Sequence, residues 1–192
     1  MKRRSLHNGF IRFIERVFER SKLLTSIYIA FFTKMTLDEF SRVSIPEDGK
    51  VLVIGCGSIP HTVIILAREK QWRITGIDRD LRAIKKARAL VEWYGLEEKV
   101  TITEGDGLTF GLSGYNLIVV AHGVEPKEKV LERVMEDMDA NAFALFRTTW
   151  DVLDVLYGKE DVPEGVSVVD VFYRFDFIKS IVMTVDVNRR TL

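Results

Sequence analysis

Cysteine is nearly missing from this chain of 192 residues: Cys56 is the only one. A lone cysteine excludes intramolecular disulfides and cysteine-rich metal centres, and it suits a reducing, cytoplasmic setting. The histidines His7, His61 and His122 show no H-x-x-x-H or comparable ligand spacing, so no metal set emerges. A charge excess is lacking too, because 28 basic and 28 acidic residues cancel. Proteins held to nucleic acid by counterion release carry a basic surplus, so an RNA or DNA partner is disfavoured. Long hydrophobic runs are also absent. The longest, Leu23–Phe32, is interrupted by Thr25 and Ser26 and falls far short of the roughly 20 residues a membrane helix needs. The basic start MKRRSLHNGF leads into IRFIERVFER, which is too charged for a signal-peptide core. With no repeat, low-complexity tract or linker in view, the expectation is a soluble single domain, or one domain with a small appendage.

What is present is a core. The chain is 47% hydrophobic and 10% aromatic. Phe10, Ile11, Phe13, Ile14, Val17 and Phe18 recur at helical spacing opposite Arg12, Glu15, Arg16, Glu19 and Arg20, which makes an amphipathic helix. A second helical stretch covers Leu23–Phe32. Thr36-Leu37-Asp38-Glu39 then has the T-x-x-E form of a capping box and predicts the start of a short third helix. Acidic residues on the polar face of the first helix favour packing against protein over a membrane surface. The helical prefix is also the candidate surface for a homodimer.

From Lys50 the pattern changes to short β-branched runs alternating with helical ones, the signature of a parallel sheet with crossover helices. Strands are predicted over Val51–Gly55, Arg73–Asp78, Val100–Glu104, Leu117–Ala121 and Ala142–Arg147. Asp80–Tyr94 reads as a helix, with Asp80 as N-cap and Gly95 as terminator. Pro126–Met138 reads as another, and Val152–Tyr157 as a shorter one. Val166–Arg174 and Ser180–Val187 are separated by too few residues for a crossover helix, so they should pair antiparallel.

Candidate chemistry gathers after the strands. VLVIGCGSIPHT places Gly55 and Gly57 between a strand and a helix, where glycine lets the backbone turn sharply and approach a ligand. Pro60 stands where a dinucleotide motif carries its third glycine. Proline is compatible with the first helical turn, but it removes the space in which a pyrophosphate sits. The expected ligand therefore lacks a pyrophosphate; a ligand-free tight turn is the alternative. Asp78, at the end of the second strand, can accept both hydroxyls of a ribose, because Asp80 is available as the helix cap. Asp106 in EGDGL can accept from an adenine amino group, although D-G is also an ordinary turn. His122, in VVAHGV, is placed to position a substrate or take a proton, or to bond loop backbone. Cys56 between the glycines suits packing better than nucleophilic attack.

These features together resemble the class I S-adenosylmethionine-dependent methyltransferase superfamily. The resemblance covers about residues 50–187. It implies a Rossmann-like α/β fold: a mostly parallel seven-stranded sheet with an antiparallel C-terminal hairpin. Residues 49–192 would be the S-adenosylmethionine-binding domain, and residues 1–48 a helical N-terminal extension. It further implies that Gly55, Cys56, Gly57, Ser58 and Pro60 lie against the cofactor. The resemblance gives the ribose to Asp78 and the adenine to Asp106, with Arg79, Gly107, Leu108 and Ala121 as further cofactor-binding candidates. A narrower resemblance is to nicotianamine synthases. Their G-x-G-P-x-P motif and T-[SV]-I-x-L-A run look like GCGSIPHTVIILA here. YNLIVVA, the later EKV, ALFRTTWDVLDVLY and VVDVFYRFDFIKSIVMTV follow in the same order. Ser58 replaces the family's usual proline, and the helical prefix is much shorter than theirs.

Those enzymes transfer a 3-amino-3-carboxypropyl group and release methylthioadenosine; most members of the wider fold transfer methyl. Both reactions begin with a nucleophile attacking a carbon on a positive sulfur, and alignment supplies most of the acceleration. The expected activity is S-adenosylmethionine-dependent transfer to a small-molecule acceptor, with methyl leading on the base rate of the fold and aminocarboxypropyl close behind. A non-catalytic cofactor-binding module is the alternative of another class. A nicotinamide-dependent dehydrogenase is disfavoured by Pro60 and by the hairpin. The candidate residues beside the acceptor are His122, Trp150 and Tyr28.

Overall fold

The computed structural model describes residues 22–149 and 166–185. The predicted helix over residues 10–18, Trp150 and the predicted helix Val152–Tyr157 lie outside these residues. In chain order the elements are α1 (Lys22–Phe40), β1 (Lys50–Ile54), α2 (His61–Glu69), β2 (Arg73–Asp78), α3 (Leu81–Trp93), β3 (Val100–Glu104), β4 (Leu117–Val120), α4 (Lys127–Asp137), β5 (Phe143–Thr149), β6 (Val166–Tyr173) and β7 (Ile178–Val185). They build a seven-stranded sheet in the order β3-β2-β1-β4-β5-β7-β6.

Five strands, β3 to β5, run parallel, and β7 pairs antiparallel with both β5 and β6. β4 is apolar and buried at every position and β1 at every position after Lys50, as strands covered on both faces must be. Alternate side chains serve two cores. Val51 and Val53 join Val63, Leu66, Ile84 and Val91 under α2 and α3. Leu52 and Ile54 join Val130, Leu131 and Val134 under α4. Chain order reverses between β1 and β4, so loops at the carboxyl ends of these strands diverge and leave a crevice. The crevice positions the candidate site.

The local signals at α3 act as expected. The Asp80 carboxylate accepts from Arg82 N at 2.8 Å, and Gly95 takes the left-handed conformation past the helix end, with φ 63°.

The expected capping box does not form. Thr36 and Glu39 lie inside one continuous helix, α1, and both are fully buried. The cause is tertiary. Arg147 on β5 donates to both Glu39 carboxylate oxygens, through Nε at 2.8 Å and Nη2 at 2.7 Å. Arg174, just past β6, donates Nη1 at 2.7 Å, and the Ser180 hydroxyl on β7 adds a short contact. A glutamate bonded in this way cannot turn back to cap its own helix. Next in sequence, Phe40 packs on Trp72, with ring centroids 6.4 Å apart, and lies 5.7 Å from the Arg147 guanidinium carbon. Ile29 of the same helix meets Ile64 and Ile65 of α2. No helix among the described residues is long and apolar enough to cross a membrane.

Burial alone would raise the Glu39 pKa. Arg147 first and Arg174 next override it and hold the carboxyl at about 2, against an ordinary 4.5. A depressed carboxylate stabilises the folded state above its unfolded pKa and loses that contribution as pH falls through the folded one. The Glu39 contribution should therefore be complete above pH 4.5 and vanish near pH 2. Glu39→Ala strands two buried guanidiniums, and urea titration at neutral pH should show a loss of about 3–5 kcal/mol.

Candidate functional site

The first turn of the site is built by glycine. Gly55 and Gly57 both adopt positive φ, 78° and 71°, a region open to glycine at little steric cost. A Cβ on Gly55 would stand 2.6 Å from Val124 Cγ2, so space and backbone conformation both demand glycine there. The amides of Gly55 and Cys56 share the Ile77 carbonyl at 2.9 and 3.0 Å, which ties this turn to the end of β2.

Asp78 completes the tie. One carboxylate oxygen accepts from Gly57 N at 2.9 Å and the other from Asp80 N at 3.0 Å. Its side chain is thus fixed at the lip of the crevice, and each oxygen keeps acceptor capacity for a hydroxyl. Asp106 is fixed in a similar way. One of its oxygens accepts from Leu108 N at 2.9 Å, and the other lies 3.8 Å from Arg79 Nη1. Gly107 fits a crowded corner, where a Cβ would come within 2.9 Å of Ile54 and Val130.

The helix after the glycine turn offers little to a phosphate. Pro60 has no N–H, and His61 N donates to the Ile59 carbonyl at 2.7 Å. Pro60 is the residue that caps α2, one position earlier than a first-turn proline. These residues fit a nucleoside held by carboxylates and close backbone better than a pyrophosphate.

A cavity of about 560 Å³ opens over these groups. Gly55, Cys56, Gly57, Ser58, Pro60, Asp78, Arg79, Asp106, Gly107 and Ala121 all line it, and so do His122 and Tyr28. Leu108 is absent from the lining: its side chain packs on the α4 face of the sheet, and its amide holds Asp106. Buried Cys56 packs behind the turn, 3.2 Å from where a Cβ on Gly76 would stand.

The same cavity reaches a second wall, of which the sequence pointed only to Tyr28. Tyr28, Phe32, His61, Thr62, Arg147, Arg174, Asp176 and Ile178 form it. Arg147 Nη1 donates to the Thr62 hydroxyl at 2.9 Å. Arg174 grips Asp176 through Nε at 3.2 Å and Nη2 at 2.8 Å. His61 meets Tyr28 edge-on at 5.5 Å and Phe32 at 5.4 Å between ring centroids. Burial, then the Arg147 and Arg174 charges, push the His61 pKa down to about 3 from 6.5, so the ring is neutral at physiological pH. The missed signals are modest. His61 directly follows the proline of the glycine turn, and Arg174 and Asp176 sit in the tight connection of the hairpin.

The comparisons with known proteins bear on this geometry. The family described as "Nicotianamine synthase protein" matches residues 26–192. This chain belongs to the nicotianamine synthase family. The L-histidine 2-aminobutanoyltransferase of Pseudomonas aeruginosa (strain UCBPP-PA14) is 27% identical over 122 residues, 62% of this chain and 46% of that protein. The chain thus spans about half the length of that curated relative. A mutant of MtNAS in complex with S-adenosylmethionine superposes with a TM-score of 0.77 at 17% identity, over 94% of this chain and 74% of that one. An RNA methyltransferase from Salinibacter ruber in complex with S-adenosyl-L-homocysteine gives 0.63 at 16% identity, over 79% and 90%. The fold is accordingly that of class I methyltransferases, as expected.

Asp78→Asn should weaken adenosylhomocysteine binding about tenfold or more in calorimetry, since a hydrogen bond to a charged acceptor contributes about 1.5–3 kcal/mol.

Proposed function

We propose that this protein is an S-adenosylmethionine-dependent transferase that passes the 3-amino-3-carboxypropyl group to an amine of a small molecule. The observation carrying this reading is the single cavity that joins the carboxylate-and-glycine cradle to the wall of Tyr28, Phe32, His61 and Asp176. Membership in the nicotianamine synthase family favours the aminocarboxypropyl group over methyl. The name of the Pseudomonas relative, which pairs an aminobutanoyl group with L-histidine, favours an amino-acid-like acceptor.

S-adenosylmethionine supplies a sulfonium that activates the adjoining carbons. The remaining work belongs to the chain. In this reading Asp78 accepts from the ribose hydroxyls, and Asp106 accepts from the adenine amino group. Gly55 and Gly57 let the backbone come within contact distance. The loops after β1, β2 and β3 carry this cofactor half, while Tyr28 and Phe32 of α1 line the acceptor half. Tyr28 and His122 border the space in which the acceptor is aligned, and alignment is the main source of acceleration for such a displacement. His61 is too weakly basic at neutral pH to act as a general base. The nucleophile must therefore bring its own lone pair.

Methyl transfer is the second reading, supported by the superposition on the Salinibacter methyltransferase. The two differ in product. Incubation of the purified protein with S-adenosylmethionine and a panel of amino acids, followed by chromatography, should yield methylthioadenosine. Adenosylhomocysteine in its place would establish methyl transfer. Cofactor binding without either product would establish a binding module.

A further inference from the structure

We propose that His61 is the residue that reads the acceptor: its Nε2 accepts a hydrogen bond from an N–H of a primary or secondary aliphatic amine lying against Tyr28 and Phe32. The proposal rests on the transferase reading above and adds to it the residue that selects the amine.

His61 Nε2 is buried and has no hydrogen-bond partner among the described residues, although the residue lines the cavity. A buried polar atom without a partner is costly unless a ligand or a water completes it. The other side of the ring is occupied. A hydrogen bond joins the imidazole to the Ile59 backbone. A carbonyl can only accept, so that bond uses the ring N–H at Nδ1 and leaves the lone pair on Nε2. The ring cannot rotate this arrangement away easily, because Tyr28 and Phe32 pack on it from α1. Nε2 is therefore a fixed acceptor that demands a donor.

The surroundings select which donor. Arg147 on β5 and Arg174 beside the hairpin turn both act against a positive imidazole; Glu39 on α1 opposes them but is bonded to both arginines. A hydroxyl nucleophile would need a base to take its proton, and a ring held neutral in this way is a poor one. An uncharged amine needs none, because it can donate one N–H to Nε2 while its lone pair points elsewhere. The Asp176 carboxylate and the Tyr28 and Phe32 rings on the same wall suit an amine-bearing ligand. In the transfer, the amine lone pair forms the new N–C bond. The C–S bond breaks, its electron pair returns to sulfur to give a neutral thioether, and the extra proton on nitrogen leaves to water.

The test compares wild type, His61→Phe and His61→Gln in methylthioadenosine release over a panel of common amino acids and their N,N-dimethyl derivatives. Adenosylhomocysteine affinity is measured in parallel by calorimetry. The expected result for His61→Phe is unchanged adenosylhomocysteine affinity, with kcat/KM for the preferred amine lowered about tenfold through KM, the scale of one lost hydrogen bond. His61→Gln should recover part of the loss. In wild type the dimethyl derivative, whose uncharged amine has no N–H, should react with a higher KM than its parent, and His61→Phe should erase that difference. Full kcat/KM in His61→Phe, with product still formed by wild type, would overturn the proposal and leave the transferase reading standing. Loss of adenosylhomocysteine affinity in His61→Phe would make the residue structural and overturn it as well. Absence of product from wild type with every probe would remove the transferase reading, and the proposal with it.

Discussion

Glu39 is a carboxylate without access to water, held by two guanidiniums and a hydroxyl from three other segments. A buried charge is tolerated only when its partners are complete. Here completeness decides architecture: α1 must lie where Glu39 can reach β5, β7 and the end of β6 together. That placement carries Tyr28 and Phe32, three and two helical turns earlier, to the mouth of the crevice. It also orients Arg147 toward Thr62 at the start of α2. The ionic cluster lies beside the cavity, and its geometry sets which side chains form that wall.

The nucleoside side of the site depends on a different device. Asp78 holds Gly57 and Asp80 through one carboxylate, so the turn after β1 and the turn after β2 cannot move independently. The shared Ile77 carbonyl adds a second link. A cradle built from backbone and carboxylates, with no N–H on Pro60 and the His61 amide already bonded to Ile59, suits hydroxyls and amines better than phosphates.

Much of this was legible in the sequence because the cues were local. β2 and β3 follow from β-branched runs, and α3 from Asp80 and Gly95 with an apolar face of Ile84, Ala87 and Val91. The glycine turn and Asp78 sit at fixed offsets from strands, so spacing alone located them. Apart from Tyr28, the second wall of the cavity was not legible. Thr36 and Glu39 match a capping box as closely as any local pattern can, yet a network drawn from β5 and the hairpin overrides it. Arg147, Arg174 and Asp176 look like ordinary surface charges until the chain is folded. His61 looked incidental because its meaning comes from Tyr28, Phe32 and the arginines around it.

The bonds that close this wall span long stretches of chain: Glu39 reaches Arg147 across 108 positions, Arg174 across 135 and Ser180 across 141. Contacts of such separation form late, because the entropy of closing large loops must be met before they stabilise anything. The two halves of the cavity therefore differ in when they come into being. The cradle of Gly55, Gly57, Asp78 and Asp106 lies within the first two-thirds of the chain, while the opposite wall waits for the β6–β7 hairpin. During synthesis, one half of the cavity has all its parts before the other half has any partner for Glu39.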